Sequence, residues 1–489
     1  MNTAFPVGLL ALPLVSSPLA YFAGRLSGNR RSAAQAVTLA ALLAGWGIFV
    51  VLARQLAAGD MPQFEHGMIV FRMDGLALFM VFLALGLSTL ATMFAHRVLA
   101  ARAGSEKYYA ALLVLTGALI GLAVARDLFN LWVWFETMIA ASYLLVVIFH
   151  EEGFSLEAGF KYVVQSAIGS GLVVFGIALI LLETGTLNLD LIQQAAASGA
   201  LIGVGGALCF IGFGVKIAIV PMHTWLPDVY TQSPSVSSAV LAGAVSKAGL
   251  VGLLRVVAAL GVAIPWPDLL MIFGTVTIIA GNFLALRQRE IKRLLAYSSM
   301  SHLGYVLLGI GFGLYAGQTL GVYGGLFHAL NHSVMKGLAF FCVGLALYLT
   351  GRPGGQEHGF LVSDLDGLAR RSPLVALAFT LALFSLAGVP PLAGFMSKWQ
   401  IFAAGLAAGS PWVTALVVLA ALNSVLSLGY YLPVVNALYR EAPSGALPAF
   451  QPPLAMLVPL IVLAGLIIVL GLWPDAIAWL LAPASALGG

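Results

Sequence analysis

Val220-Pro-Met-His-Thr-Trp-Leu-Pro-Asp228, followed by Pro234, interrupts a run of apolar sequence that otherwise extends from about 199 to 262. Proline removes a backbone donor and clashes with the preceding turn, so no single helix passes through this stretch. At membrane depth, irregular backbone survives only where protein or a water-filled cavity covers it. Ala387-Gly-Val-Pro-Pro-Leu-Ala-Gly394 repeats the situation in the second half of the chain. A broken segment in each half points to inverted repeats around a transport path.

The rest of the sequence agrees with a membrane setting. The 489 residues are 61% hydrophobic and 9% charged, with a mean hydropathy of +1.01. Soluble domains are about 45–50% apolar and roughly a quarter charged. A helix crosses the hydrocarbon layer with roughly 20 apolar residues, and runs of that length fill most of the chain. They exclude an outer-membrane barrel, whose segments are about ten residues long and alternate in polarity. The expected fold is an all-α polytopic membrane protein of about fourteen transmembrane helices. These fall near 4–23, 33–53, 75–95, 108–125, 128–149, 160–182, 199–220, 234–262, 266–286, 294–314, 318–350, 373–408, 411–436 and 453–482. Helices one to three (1–107) precede a first five-helix repeat (108–263) and an inverted second one (264–436). Helix fourteen closes the chain (437–489). Helices 7 and 12 are the broken ones.

Fixed positive charge separates the two sides. Odd-numbered loops hold Arg25, Arg30, Arg31, Arg97, Arg102, Lys107, Arg287, Arg289, Lys292, Arg293, Arg352, Arg370, Arg371 and Arg440, while even-numbered loops hold Arg54, Arg72 and Arg126. The positive-inside bias places odd loops in the cytoplasm and both termini outside it, in a cell inner (plasma) membrane. The net charge of +4 is thus a property of loops, and no nucleic-acid partner is expected. Phe5–Phe22 lacks a basic leader and reads as a first membrane helix, not a removable signal. Cys209 and Cys342 stand far apart inside apolar segments, so no metal or iron–sulfur ligand set can be assembled from them.

Which charges enter the membrane is the sharper evidence. Of seven lysines, Lys216, Lys247, Lys336 and Lys398 lie well inside apolar segments, and Lys161 stands near a segment entrance. Of sixteen arginines, Arg255 alone does so. Ion pairing would be served at least as well by arginine, whereas burial can shift a lysine's pKa by several units and leaves arginine protonated. Four such lysines and one carboxylate, left charged and unpaired, would cost over about 12 kcal/mol on insertion scales. The carboxylate is Glu136, central in Asn130-Leu-Trp-Val-Trp-Phe-Glu136-Thr-Met. His328, His332 and Lys336 follow at i, i+4 and i+8 on one helix face, with Asn331 beside them. Tyr297-Ser-Ser-Met-Ser-His302 adds a polar stretch to another span. Structural pairing explains any one of these residues. Together they predict a hydrated relay in which lysine and histidine exchange protons. His223 and Asp228, at the break, read equally well as a proton entry point and as helix-capping residues.

These motifs resemble a known family, the antiporter-like subunits shared by respiratory complex I, Mrp-type sodium/proton antiporters and membrane-bound hydrogenases. The likeness runs from about Asp74 to Arg440. It rests on Asn130-Leu-Trp-Val-Trp-Phe-Glu136, on Lys216 with Pro221-Met-His-Thr-Trp-Leu-Pro-Asp228, on Lys292-Arg-Leu-Leu-Ala-Tyr-Ser-Ser-Met-Ser-His302-Leu-Gly-Tyr, and on Gly388-Val-Pro-Pro-Leu-Ala-Gly-Phe-Met-Ser-Lys398. The resemblance implies that Glu136 and Lys216 form a switch pair, that Lys247 connects and that Lys398 is the exit residue. His302, His328 and His332 would lie between Lys247 and Lys398 on a central hydrophilic axis. With its sequence ending soon after the fourteenth segment, it is expected to be without the long lateral helix and extra spans of the family's largest subunit.

Three functions follow as expectations: a proton-translocating subunit of a redox-driven complex of the NADH:quinone oxidoreductase or hydrogenase type; a subunit of a sodium/proton antiporter; or a non-conducting scaffold. The retained ionisable residues speak against the scaffold. No nucleotide fingerprint, metal cluster or quinone motif is present in the sequence, so electron transfer and its cofactors are expected in partner subunits of the same membrane complex.

Overall fold

A computed structural model describes residues 4–27, 30–99, 104–148, 153–195, 199–350, 359–441 and 452–486. The loop residues Arg102 and Arg352 lie outside them. The helices are α1 (Ala4–Leu26), α2 (Arg30–Ala57), α3 (Gly75–Val98), α4 (Ser105–Val124), α5 (Leu128–Val146), α6 (Gly153–Thr184), α7 (Leu189–Ala195), α8 (Ala200–Ile217), α9 (Trp225–Gln232) and α10 (Ser235–Val240). After one π turn (Leu241–Val245) come α11 (Ser246–Leu260), α12 (Trp266–Leu286), α13 (Ile291–Ala316), α14 (Thr319–Leu349), α15 (Leu368–Arg371), α16 (Pro373–Ala387), α17 (Ala393–Ala407), α18 (Pro411–Tyr439), α19 (Leu454–Leu472) and α20 (Ala478–Ser485). Among the described residues, 13 helices are long and apolar enough to cross a membrane. The split pair α16/α17 supplies the remaining crossing expected from the sequence.

Burial is inverted relative to a water-soluble protein. Ser235–Ala263, Ile291–Ala316 and Thr319–Leu349, which carry buried lysines and histidines, are almost wholly enclosed, while most residues of Leu454–Leu472 and Pro411–Tyr439 are not. In lipid, an outer helix gains nothing by hiding leucine, whereas an ionisable group must face the bundle interior.

Both breaks are built alike. Ala218 (φ 63°) and Gly388 (φ 89°) adopt the left-handed conformation that closes a helix with paired reverse hydrogen bonds. Ile219 N–H donates to Gly214 O and Val389 N–H to Phe384 O, each at 3.0 Å. In both breaks a cis peptide bond precedes the proline that follows, Pro221 or Pro391. Trp225 Nε1 caps the first broken end by donating to Val215 O at 2.7 Å.

Two features differ from the expectation. The segment Arg54–Asp74 contains a short antiparallel hairpin, β1 (Gln63–His66) and β2 (Ile69–Arg72). The last span ends at Leu472, where Trp473-Pro474 turns the chain into a short 3-10 turn and α20, because proline cannot continue the ladder. Arg255 is a structural ion. Its guanidinium grips Asp74, the N-cap of α3, with Nη2 at 2.8 Å from Oδ1, and it also donates to Ala123 O at 2.7 Å. Arg126, Asp190 and Arg72 extend the network at that end of the bundle. Burial opposes the charge on Asp74, yet the Arg255 and Arg126 guanidiniums hold its carboxyl below the usual carboxylate range.

Candidate functional site

In the first half, Lys216 occupies the last turn of α8 beside the break and is buried. Its Nζ donates to the Tyr162 hydroxyl of α6 and lies 4.3 Å from that ring's centroid. Tyr162 and Ser142 are 2.6 Å apart. Ser142 Oγ donates its own proton to Ile139 O at 3.0 Å, so the phenol is the donor between them. Glu136 stands nearer the start of α5. It is half-buried, and it accepts from Ser170 Oγ, which in turn accepts from Trp132 Nε1 at 2.8 Å. Among the described residues no ion pair joins Glu136 to Lys216. The two expected switch residues are each held by hydroxyls of α6.

The second half is more continuous. Lys247 lies just past the π turn, where the altered ladder leaves the Ala242 carbonyl to accept from Lys247 Nζ at 2.6 Å and from Ser246 Oγ at 3.0 Å. Lys247 Nζ also meets His332 Nδ1 of α14. His302 of α13 lies against both α14 histidines, with ring centroids 5.2 Å from His328 and 5.3 Å from His332.

Partners assign the proton positions in this row. Ser397 Oγ donates to Ala393 O at 3.1 Å, so it accepts from His328 Nδ1 at 2.9 Å. His328 Nε2 is therefore the acceptor for His302 Nδ1 at 3.0 Å. That leaves His302 Nε2 to accept from the Tyr431 hydroxyl of α18 at 3.3 Å. All these side chains are buried. The result is a row with one direction of donation, Tyr431 to His302 to His328 to Ser397.

Lys398 follows Ser397 directly. Its Nζ donates to Leu386 O (3.0 Å), Ala387 O (3.2 Å) and Ser424 Oγ (2.8 Å). Those carbonyls end α16, where the break leaves them without helical partners and the helix dipole favours a cation. Lys336 points elsewhere along α14, to Leu295 O at 2.8 Å and to Ser298.

The residues at the first break behave differently. Asp228 is clamped by Lys161 of α6 at 2.9 Å and Arg293 of α13 at 3.0 Å. This clamp ties the half-helix α9 to α6 and α13. His223 sits half-buried on the turn before α9, outside the histidine row. Tyr162, Ser170, Ser397, Ser424 and Tyr431 escape a reading of the sequence alone. A serine or tyrosine in a membrane helix is too common to stand out, and only adjacency to Lys398 could have marked Ser397.

Comparison with known proteins places this geometry. The model for the transmembrane domain of the NADH:quinone oxidoreductase/Mrp antiporter family matches residues 125–424. F(420)H(2) dehydrogenase subunit N of Methanosarcina mazei is 35% identical over 76% of this chain and 75% of its own. NADH-quinone oxidoreductase subunit N of Trichlorobacter lovleyi is 37% identical over 68% and 67%. Among solved structures, a chain of the archaeal membrane-bound sulfane sulfur reductase superposes with a TM-score of 0.88 at 28% identity, covering 99% of this chain and 97% of that one. A chain of respiratory complex I from Thermus thermophilus gives 0.79 at 30% identity, covering 98% and 100%. The Mrp complex of Dietzia gives 0.85 at 23% identity, covering 99% and 97%, a likeness of fold. With its broken helices, buried lysines and these relatives, the chain belongs to the NADH:quinone oxidoreductase/Mrp antiporter family of membrane subunits.

Proposed function

We propose that this chain carries protons across the plasma membrane as one subunit of a redox-driven complex, with electron transfer located in its partners. The carrying observation is the buried row from Lys247 through the three histidines and Ser397 to Lys398. A scaffold has no use for ionisable and hydroxyl side chains lined up where each must be desolvated. Relatives at 35% and 37% identity are subunits of F(420)H(2) dehydrogenase and NADH-quinone oxidoreductase, which favours the redox-driven reading over a free-standing sodium/proton antiporter.

In this reading Glu136 and Lys216 form the input half. Lys247, His332, His302 and His328 form the connection, and Lys398 is the terminus. Lys336, held by Ser298, is a side branch. Asp228 acts as a clamp and His223 lies off the path. The arginine-rich loops face the cytoplasm and both termini lie outside it.

The chain holds no energy source of its own, so purified alone in liposomes it should build no proton gradient. A pH-sensitive dye trapped inside the vesicles checks this. Uphill acidification by the isolated chain, with no ion gradient imposed, would contradict the proposal.

A further inference from the structure

A cavity of about 360 Å³ opens beside the loops joining α12 to α13 and α14 to α15. Gln288, Arg289 and Ser363 line it with Leu361 and Pro433, and Tyr430 of α18 contributes to its wall. Both loops belong to the arginine-rich face. The cavity is large enough for several waters and has the polar lining they need.

What lies behind Tyr430 gives the cavity meaning. Its hydroxyl donates to Asn282 Oδ1 at 2.9 Å, and Asn282 is held in turn by Asn423 O at 2.9 Å. The Tyr430 and Tyr431 rings pack with centroids 4.4 Å apart. Tyr431 is buried, and its hydroxyl is the first donor of the histidine row, aimed at His302 Nε2. Two side chains therefore separate cavity water from the middle of the axis.

From this juxtaposition we infer that the cavity is a second proton entrance, delivering protons from the arginine-rich face to His302 through Tyr431. The transfer conserves protons at each step. Cavity water gives a proton to the Tyr430 oxygen, the Tyr430 hydroxyl passes its own to the Tyr431 oxygen, and Tyr431 releases its own to His302 Nε2. His302 then gives up its Nδ1 proton to His328 Nε2, and His328 holds it as an imidazolium whose Nδ1–H stays on Ser397 Oγ. The entrance joins the axis midway, downstream of Lys247.

The inference rests on the proton-axis reading, and the test separates the two. Ser363→Cys places a thiol on the cavity wall of the assembled complex. Cys209 and Cys342 are both buried, so within this chain a membrane-impermeant anionic methanethiosulfonate should label position 363. The Ser363 complex treated identically controls for thiols of partner subunits. Labelling should lower dye-reported pumping on the order of tenfold or more relative to the same variant unlabelled, the scale of losing a positioned proton donor. Reduction of the mixed disulfide should restore it, which a folding defect would not allow. Tyr431→Phe keeps the ring and removes the hydroxyl. It should assemble, slow pumping, and raise the solvent deuterium isotope effect. Complete labelling with undiminished pumping would overturn the entrance, provided Lys398→Ala abolishes pumping in parallel. Normal pumping by Lys398→Ala would instead sink the axis reading itself.

Discussion

Lys247→Arg and Lys398→Arg should each assemble into the complex and fail to pump, with rates down at least about 100-fold, the lower end of what a positioned proton donor contributes. Arginine keeps the charge, and it can still donate to the carbonyls that now hold each ammonium. At Lys398 those are Leu386 O and Ala387 O at the broken end of α16, and a guanidinium there would satisfy the same helix terminus. What arginine cannot do is become neutral in a protein. A structural role predicts the opposite order, with Lys→Arg tolerated and Lys→Ala damaging to assembly. Lys→Gln, neutral and smaller, controls for the bulk of the guanidinium. Complex yield in detergent reports assembly, and a pH-sensitive dye in sealed vesicles reports pumping. Wild-type pumping by both arginine variants would make these lysines fixed charges.

Glu136→Gln and Lys216→Met should also stop pumping, while leaving assembly nearly unaffected. Had the two been in direct contact, removing either would strand a buried charge at about 3–5 kcal/mol. The observed arrangement predicts much less. In Glu136→Gln the amide still offers an oxygen to Ser170, and Lys216 keeps its bond to Tyr162 when Glu136 is neutralised. A loss of roughly 0.5–1.5 kcal/mol, that of one ordinary hydrogen bond, is the expected scale. Thermal unfolding of the detergent-solubilised complex, read beside pumping, distinguishes the cases. A large destabilisation with either variant would show that the ions depend on each other for stability. Normal pumping with both would remove them from the path.

Much of the fold was legible because membrane burial writes itself into the sequence as length and hydropathy. The breaks at Pro221 and Pro391 were legible because proline acts locally. Features that depend on tertiary contact were not. The π turn at Leu241–Val245 has no distinctive composition, yet it frees the Ala242 carbonyl that holds Lys247. The pairing of Arg255 with Asp74 joins residues far apart in sequence, so a lone intramembrane arginine could not be matched to its partner. Helical spacing put His328, His332 and Lys336 on one face, which is true of α14. It could not show that the two histidines turn to His302 while Lys336 turns to Ser298. The family likeness implied that Glu136 and Lys216 work as a pair, without saying what would hold each one in place. Hydroxyls from Ser170 and Tyr162 hold them, and no periodicity in α6 announces those contacts.

The central claim is that protons run along the histidine row, and cutting it in the middle tests that most directly. His328 stands between His302 Nδ1 and Ser397 Oγ, at 3.0 and 2.9 Å, and His328→Leu removes both bonds while filling similar space. The measurement is dye-reported proton translocation by the assembled complex in sealed vesicles. His66→Leu in the exposed hairpin serves as control. The account predicts normal assembly for both variants, wild-type pumping for His66→Leu and none above background for His328→Leu. Wild-type pumping by a fully assembled His328→Leu complex would contradict it.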